Sequence, residues 1–309
     1  MRVSFYTAAE SGPESASTST MPSTLKTWLR LLAALVLLPL AWGGAALQAA
    51  TPAADTENSE ELAKRYEDAR VAFEKGDFKK AQYLSESLLK DSLDKGKVSP
   101  QLFQLMGHTR YRQGDLGRAA LWYMRAALFP PPSPETVQNL THIRGKTGNL
   151  AFSANHVGDQ YSSLLTRPQW MRIVVISLWA IVFSTVLCFV FRSAAARTLF
   201  LLLILLGLVG GSLGIIGWRL RPTFNQVKDL AIVTSPNAKS YTAASTTAGR
   251  VIDLPPGSQV RKLEERGAWT YVETWSGDPS SKDSGQMIRG WVQNDALSTF
   301  WPFDAKYLD

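Results

Sequence analysis

The chain has 309 residues, of which 45% are apolar and 19% charged, with a formal charge of +7. Three histidines and a single cysteine, without Cys-x-x-Cys or His-x-x-x-His spacing, exclude a structural zinc site and a redox dithiol. The apolar residues lie in long uninterrupted runs, which excludes a soluble single-domain enzyme and assigns much of the chain to a membrane.

The positive charge is unevenly spread. Residues 51–150 carry fifteen basic and thirteen acidic side chains, and residues 221–309 carry ten of each. The excess lies in the N-terminal segment and beside apolar runs, at Lys26, Arg30, Arg167, Arg172, Arg192, Arg197 and Arg219. That is the pattern of membrane flanks, and it points away from nucleic acid.

In chain order, residues 1–50 read as a disordered start followed by an export signal. Met21 is a second candidate start. Lys26 and Arg30 precede the apolar run over residues 31–40, and small residues lead to a cleavage zone at Ala49 and Ala50. An uncleaved anchor is the alternative, because apolar residues continue to Leu47.

Residues 51–149 carry a repeat. The stretch "QLFQLMGHTRYRQGDLGRAALWYMRAALFPP" has Gly107, Gly114, Ala119, Tyr123, Ala126 and Pro131 at the spacing of a tetratricopeptide repeat, which it resembles. Upstream, Ala69, Gly76, Asp77 and Ala81 repeat the phase, with Ser85 and Leu88 departing from it. A further helix over residues 134–144 is expected to cap the stack. In such arrays the first helices line a groove, which makes Tyr66, Arg70, Phe73, Gln104, His108 and Tyr111 the candidate partner contacts, with solvated surface or helix packing as the alternative. His108 has no nucleophile or carboxylate constellation in the sequence around it, so no catalytic residue is assigned.

A linker over residues 150–169 precedes a membrane hairpin over residues 170–218. Its two runs, residues 173–191 and 198–218, are each long enough to cross a bilayer and are joined by the hexapeptide 192–197. Gly207, Gly210, Gly211 and Gly214 put small residues on one stripe of the second helix, for packing on the first or on another copy. Lys/Arg counting leaves the orientation open, and the export signal places both flanking bodies outside the cytoplasm.

Residues 219–309 switch to short runs of Val, Ile, Trp and Tyr broken by Gly, Pro and Asn, which predicts a small all-β barrel. The residues Ala231-Ile232-Val233, the turn at residues 254–257, Gly267-Ala268-Trp269 and Gly290-Trp291-Val292 resemble a bacterial SH3-like domain, with a long polar loop at residues 278–285. Trp269, Tyr271 and Glu273 are expected to alternate with Thr270 and Val272. Trp269, Tyr271 and Trp291 are then candidates for contact with a partner or the cell wall, with a core position as the alternative for the tryptophans.

The fold class is therefore multidomain: all-α tetratricopeptide-like repeats, a two-helix transmembrane hairpin and a small all-β SH3-like barrel. This order, from Leu62 to Leu297 and including the "QNLTHIR" segment, is similar to that of the BatE family of bacterial aerotolerance gene clusters. The resemblance implies an accessory protein of the bacterial inner membrane, facing the periplasm and working beside von Willebrand-A-type membrane proteins and a MoxR-type ATPase. It carries over no catalytic residue, and no cofactor or metal is expected from the composition. The competing reading is a peptidoglycan-binding module.

Overall fold

The computed structural model describes residues 53–152, 156–277 and 285–307. The expected leader, residues 1–50, and most of the polar loop, residues 278–284, lie outside them.

Five helices open the described chain: α1 (Ala53–Glu74), α2 (Phe78–Asp94), α3 (Pro100–Arg112), α4 (Leu116–Ala127) and α5 (Pro134–Thr147). The turns between α1 and α2 and between α3 and α4 are built alike. Gly76 and Gly114 take φ of +79° and +82°, a region that favours glycine. The following Asp77 and Asp115 accept from the amides of Lys80 and Arg118, capping the second helix of each pair. Ser99 and Ser133 cap α3 and α5, each followed by a proline that costs the first turn no hydrogen bond. Between α3 and α4, Gly107 lies against the Tyr123 ring so closely that a Cβ there would come within 2.7 Å of it. The missing side chain at Gly107 thus lets α3 and α4 pack closely.

A short helix α6 (His156–Ser162) leads to two long helices, α7 (Arg167–Val190) and α8 (Ala194–Leu220). Both are long and apolar enough to cross a membrane, and few of their residues are buried inside the protein. They fit a two-pass membrane protein. The connection is shorter than the expected hexapeptide, because α8 already begins at Ala194. Ser193 caps it by accepting from the Ala196 amide, and three consecutive alanines favour the helix.

The segments before and after this hairpin pack on each other. The Arg125 guanidinium on α4 donates to the carbonyls of Phe300 and Thr299 at 2.8 and 2.9 Å, and Arg221 donates to the Leu128 carbonyl at 2.7 Å. A hairpin that crosses a membrane therefore leaves both bodies on one side of it.

After a one-turn helix α9 (Phe224–Val227), the C-terminal part holds seven antiparallel strands: β1 (Leu230–Val233), β2 (Ala238–Tyr241), β3 (Arg250–Leu254), β4 (Gln259–Arg266), β5 (Trp269–Ser276), β6 (Gln286–Gln293) and β7 (Leu297–Thr299). Their order is β3-β2-β6-β5-β4-β1-β7. The expected closed barrel is not formed. The second edge of β1 is taken by β7, and β2 joins β6 through the single pair Tyr241–Trp291, so β3 and β7 remain the edges of an open sheet. Strand β1 serves two cores by simple alternation. Ala231 and Val233 face Val260, Val272 and Val292 inside the sheet, whereas Ile232 joins Phe103, Tyr123 and Trp301 in the helical core.

Candidate functional site

The six groove candidates fall on one face shared by α1, α3 and α5. On α1, Tyr66, Arg70 and Phe73 lie at helical spacing. Phe73 reaches the His108 ring of α3 at 6.0 Å between centroids. From α5, the Glu135 carboxylate accepts from Gln104 Nε2 at 2.6 Å and lies 3.3 Å from His108 Nε2. The same carboxylate acts on Tyr66, whose pKa is raised first by burial and further by Glu67 and Glu135, against the lowering influence of Arg70. Farther along, Tyr111 lies 2.8 Å from His142 Nε2 and accepts from the Lys146 ammonium at 2.7 Å. Sequence reading missed Glu135, His142 and Lys146. Their spacing on α5 was the available signal, since positions 135, 142 and 146 repeat on one helical stripe.

His108 forms the floor of this face. Its Nδ1 lies 2.8 Å from the hydroxyl of buried Tyr123. Burial lowers the His108 pKa, opposed by Glu135. A neutral ring accepts the Tyr123 proton at one nitrogen and offers the other to Glu135, so all three polar groups are satisfied. Burial likewise raises the Tyr123 pKa, which keeps its hydroxyl a donor. Arg70 is held by Glu67 and Glu74 on its own helix. The arrangement is an aromatic and hydrogen-bonding surface.

On the sheet, Trp269 and Tyr271 project from β5 on the face opposite buried Thr270 and Val272, as the alternation predicted. Trp291 on β6 faces Tyr271 across the strand pair, with ring centroids 5.2 Å apart. Tyr241 meets Trp269 edge-on at 5.6 Å, and the Arg266 guanidinium covers Trp291 at 5.2 Å. Both tryptophans are half-buried and lie outside the sheet core. Glu273 departs from the expected outward alternation. It is only 6% exposed and is paired with Arg261 at 2.9 Å and Arg289 at 3.2 Å.

The hairpin glycines pack within the molecule. A Cβ on Gly207 would meet Ile181 at 2.7 Å and one on Gly214 would meet Val174 at 2.9 Å, while Gly210 and Gly211 face Ser177. Gly217 continues the stripe against Trp170. These residues serve the close approach of α7 and α8.

The largest feature missed from the sequence is the docking of the C-terminal tail into the helical body. Phe300 and Trp301 are buried there, and Phe303 stacks on Phe103 at 5.9 Å with 12° between the rings. Arg125 lies between Trp122 and Phe303, at 4.3 and 5.3 Å from their centroids. Burial lowers its pKa, while the two accepting carbonyls and two ring faces compensate the charge. The Tyr307 hydroxyl donates to the Leu93 carbonyl at 2.8 Å. Four aromatics in eight residues beyond the last strand were the signal in the sequence. A cleft of about 520 Å³ lies between the α3–α4 turn and the sheet, lined by Gln113, Asp115, Arg118, Ser235 and Asp295 among others.

No protein-family model, curated protein or solved structure matches this chain.

Proposed function

We propose that this protein is a non-catalytic, membrane-anchored scaffold of the bacterial envelope whose polar helical face binds a segment of another membrane protein. The observation that carries the reading is the convergence of Tyr66, Phe73, Gln104, His108 and Tyr111 with Glu135, His142 and Lys146 on one face of three helices. The repeated Gly-Asp turns support a tetratricopeptide-like origin for that body. The resemblance to BatE then supplies the partner class: von Willebrand-A-type proteins of a Bat-type assembly in the inner membrane, with both bodies of this chain on the periplasmic side. Tethering to the same bilayer raises the effective concentration of such a partner, so a modest groove affinity suffices.

Affinity capture of the full-length tagged chain from solubilised membranes tests this. Recovery of a von Willebrand-A-type protein by the wild type, and its loss with the Tyr66→Ala/Tyr111→Ala double variant, is the expected result. Equal recovery by both chains contradicts it.

The outward aromatic row Tyr241, Trp269, Tyr271 and Trp291 favours a second reading, in which the SH3-like sheet holds peptidoglycan. Cosedimentation of the full-length chain with purified sacculi, abolished by Trp291→Ala, is its signature. The scaffold reading predicts no cosedimentation.

A further inference from the structure

The hairpin has two chemically different ends. At the end next to the folded bodies, Trp170 and Trp218 stand with Arg167, Arg172, Arg219 and Arg221, whereas the connection at the far end has Arg192 and Arg197. Antiparallel packing fixes the level of each residue. Gly217 of α8 lies against the Trp170 ring of α7, and Gly214 lies against Ile173 and Val174. Arg172 and Arg219 therefore sit within about a turn of one another along the hairpin axis. Each is two positions beyond a residue of the helix contact, so each points roughly 200° away from it, onto the outer surface of its own helix.

Tyr161 and Trp218, both part-exposed and beside buried Trp170, place this level at the edge of the hydrocarbon layer. The Trp170 ring nitrogen donates to the Ser162 carbonyl at 3.1 Å, and Tyr161 of α6 packs on that ring at 4.9 Å. Tyr161 also donates to the Leu213 carbonyl of α8 at 2.8 Å, and the Arg167 guanidinium covers Trp218 at 5.0 Å. Amphipathic rings with satisfied polar ends are the groups that settle between headgroups and acyl chains.

Acidic side chains are absent from the sequence around Arg172 and Arg219. From Gln160 to Lys228 the sequence contains no Asp or Glu. Arg221 is turned inward onto the Leu128 carbonyl. Arg172 and Arg219 are exposed and, among the described residues, make no hydrogen bond or ion pair. Two outward guanidiniums at the depth of an aromatic belt, with no acidic side chain nearby in sequence, match a lipid phosphodiester that no choline ammonium neutralises, which a guanidinium can bind through two parallel hydrogen bonds.

We propose that the body-side end of the hairpin binds acidic phospholipid headgroups through Arg172 and Arg219, one on each outer face. This goes beyond the scaffold reading and does not depend on it, since no protein partner takes part.

Native mass spectrometry of the full-length protein, released from nanodiscs of mixed phosphatidylglycerol and phosphatidylcholine, tests the proposal. The wild type is expected to retain phosphatidylglycerol in preference to phosphatidylcholine. Arg172→Gln and Arg219→Gln are each expected to weaken that retention by roughly five-fold. Lys239→Gln removes an exposed charge from strand β2 and is expected to leave retention unchanged. Excess inorganic phosphate is expected not to displace the lipid. Equal retention of the two lipids, full retention by the Arg172→Gln/Arg219→Gln double variant with a wild-type circular dichroism spectrum, or displacement by phosphate would each overturn the assignment.

Discussion

The helical body has two faces that meet opposite fates. One, built on Phe103, Trp122, Arg125 and Phe129, is filled by the chain's own tail, with Trp301 only 2% exposed. The other, on α1, α3 and α5, is polar and is satisfied within itself by Glu135, His142 and Lys146 while its rings stay partly exposed. An apolar face left open would be a hazard in water, and the chain's own tail covers it. A polar face with satisfied hydrogen bonds is stable without a partner and remains free to exchange those bonds for new ones.

If the two faces differ in this way, substitutions should divide cleanly between stability and binding. The largest stability effect is expected for Trp301→Ala, which empties the tail pocket and should cost about 4 kcal/mol in chemical denaturation of the detergent-solubilised chain. Arg125→Met follows, at about 2 kcal/mol, because it leaves the buried carbonyls of Phe300 and Thr299 without their donor. Proteolytic sensitivity of the tail should rise in parallel. On the other face, Tyr111→Ala should lower stability by less than about 1 kcal/mol, while partner recovery falls about ten-fold, as for an aromatic interface anchor. A large stability loss from Tyr111→Ala would erase the distinction.

The smallest effect concerns pH. Burial holds the folded pKa of His108 below its ordinary value of 6.5. Above that value the ring is neutral in both states and its contribution to stability is complete. As the pH falls below it, the unfolded chain takes up the proton first, and stability declines until the folded ring also titrates. Denaturation midpoints should therefore fall on acidification below pH 6.5, and His108→Gln should reduce that slope. An unchanged slope would detach His108 from the acid response.

Local features were legible in the sequence because their causes are local. Gly76-Asp77 and Gly114-Asp115 announce a turn and a cap within two residues, and the apolar runs of α7 and α8 need only length and composition. The side-to-side alternation of Trp269, Thr270, Tyr271 and Val272 is equally direct. The sheet's open order was not legible, because whether β1 receives β3 or β7 on its free edge is a choice among distant strands. Glu273 was misjudged for a similar reason: its burial depends on Arg261 and Arg289 from the two neighbouring strands. The docking of the tail was missed because an aromatic run reads the same whichever core it enters, and Arg125 lies 175 residues from the carbonyl it binds. The expected groove was drawn on α1 and α3 from repeat phase alone, and the place of α5 beside them appeared only once Glu135 met Gln104 and His108.

Photo-crosslinking in intact cells tests the central claim most directly, with the reactive side chain placed in the full-length protein at Gln104, at Tyr111 or at Tyr83. Tyr83 lies on the second helix of the first pair and is 72% exposed. One common adduct, containing a von Willebrand-A-type membrane protein, is expected from positions 104 and 111 and none from position 83. The same adduct from all three positions, or from Tyr83 alone, would contradict it.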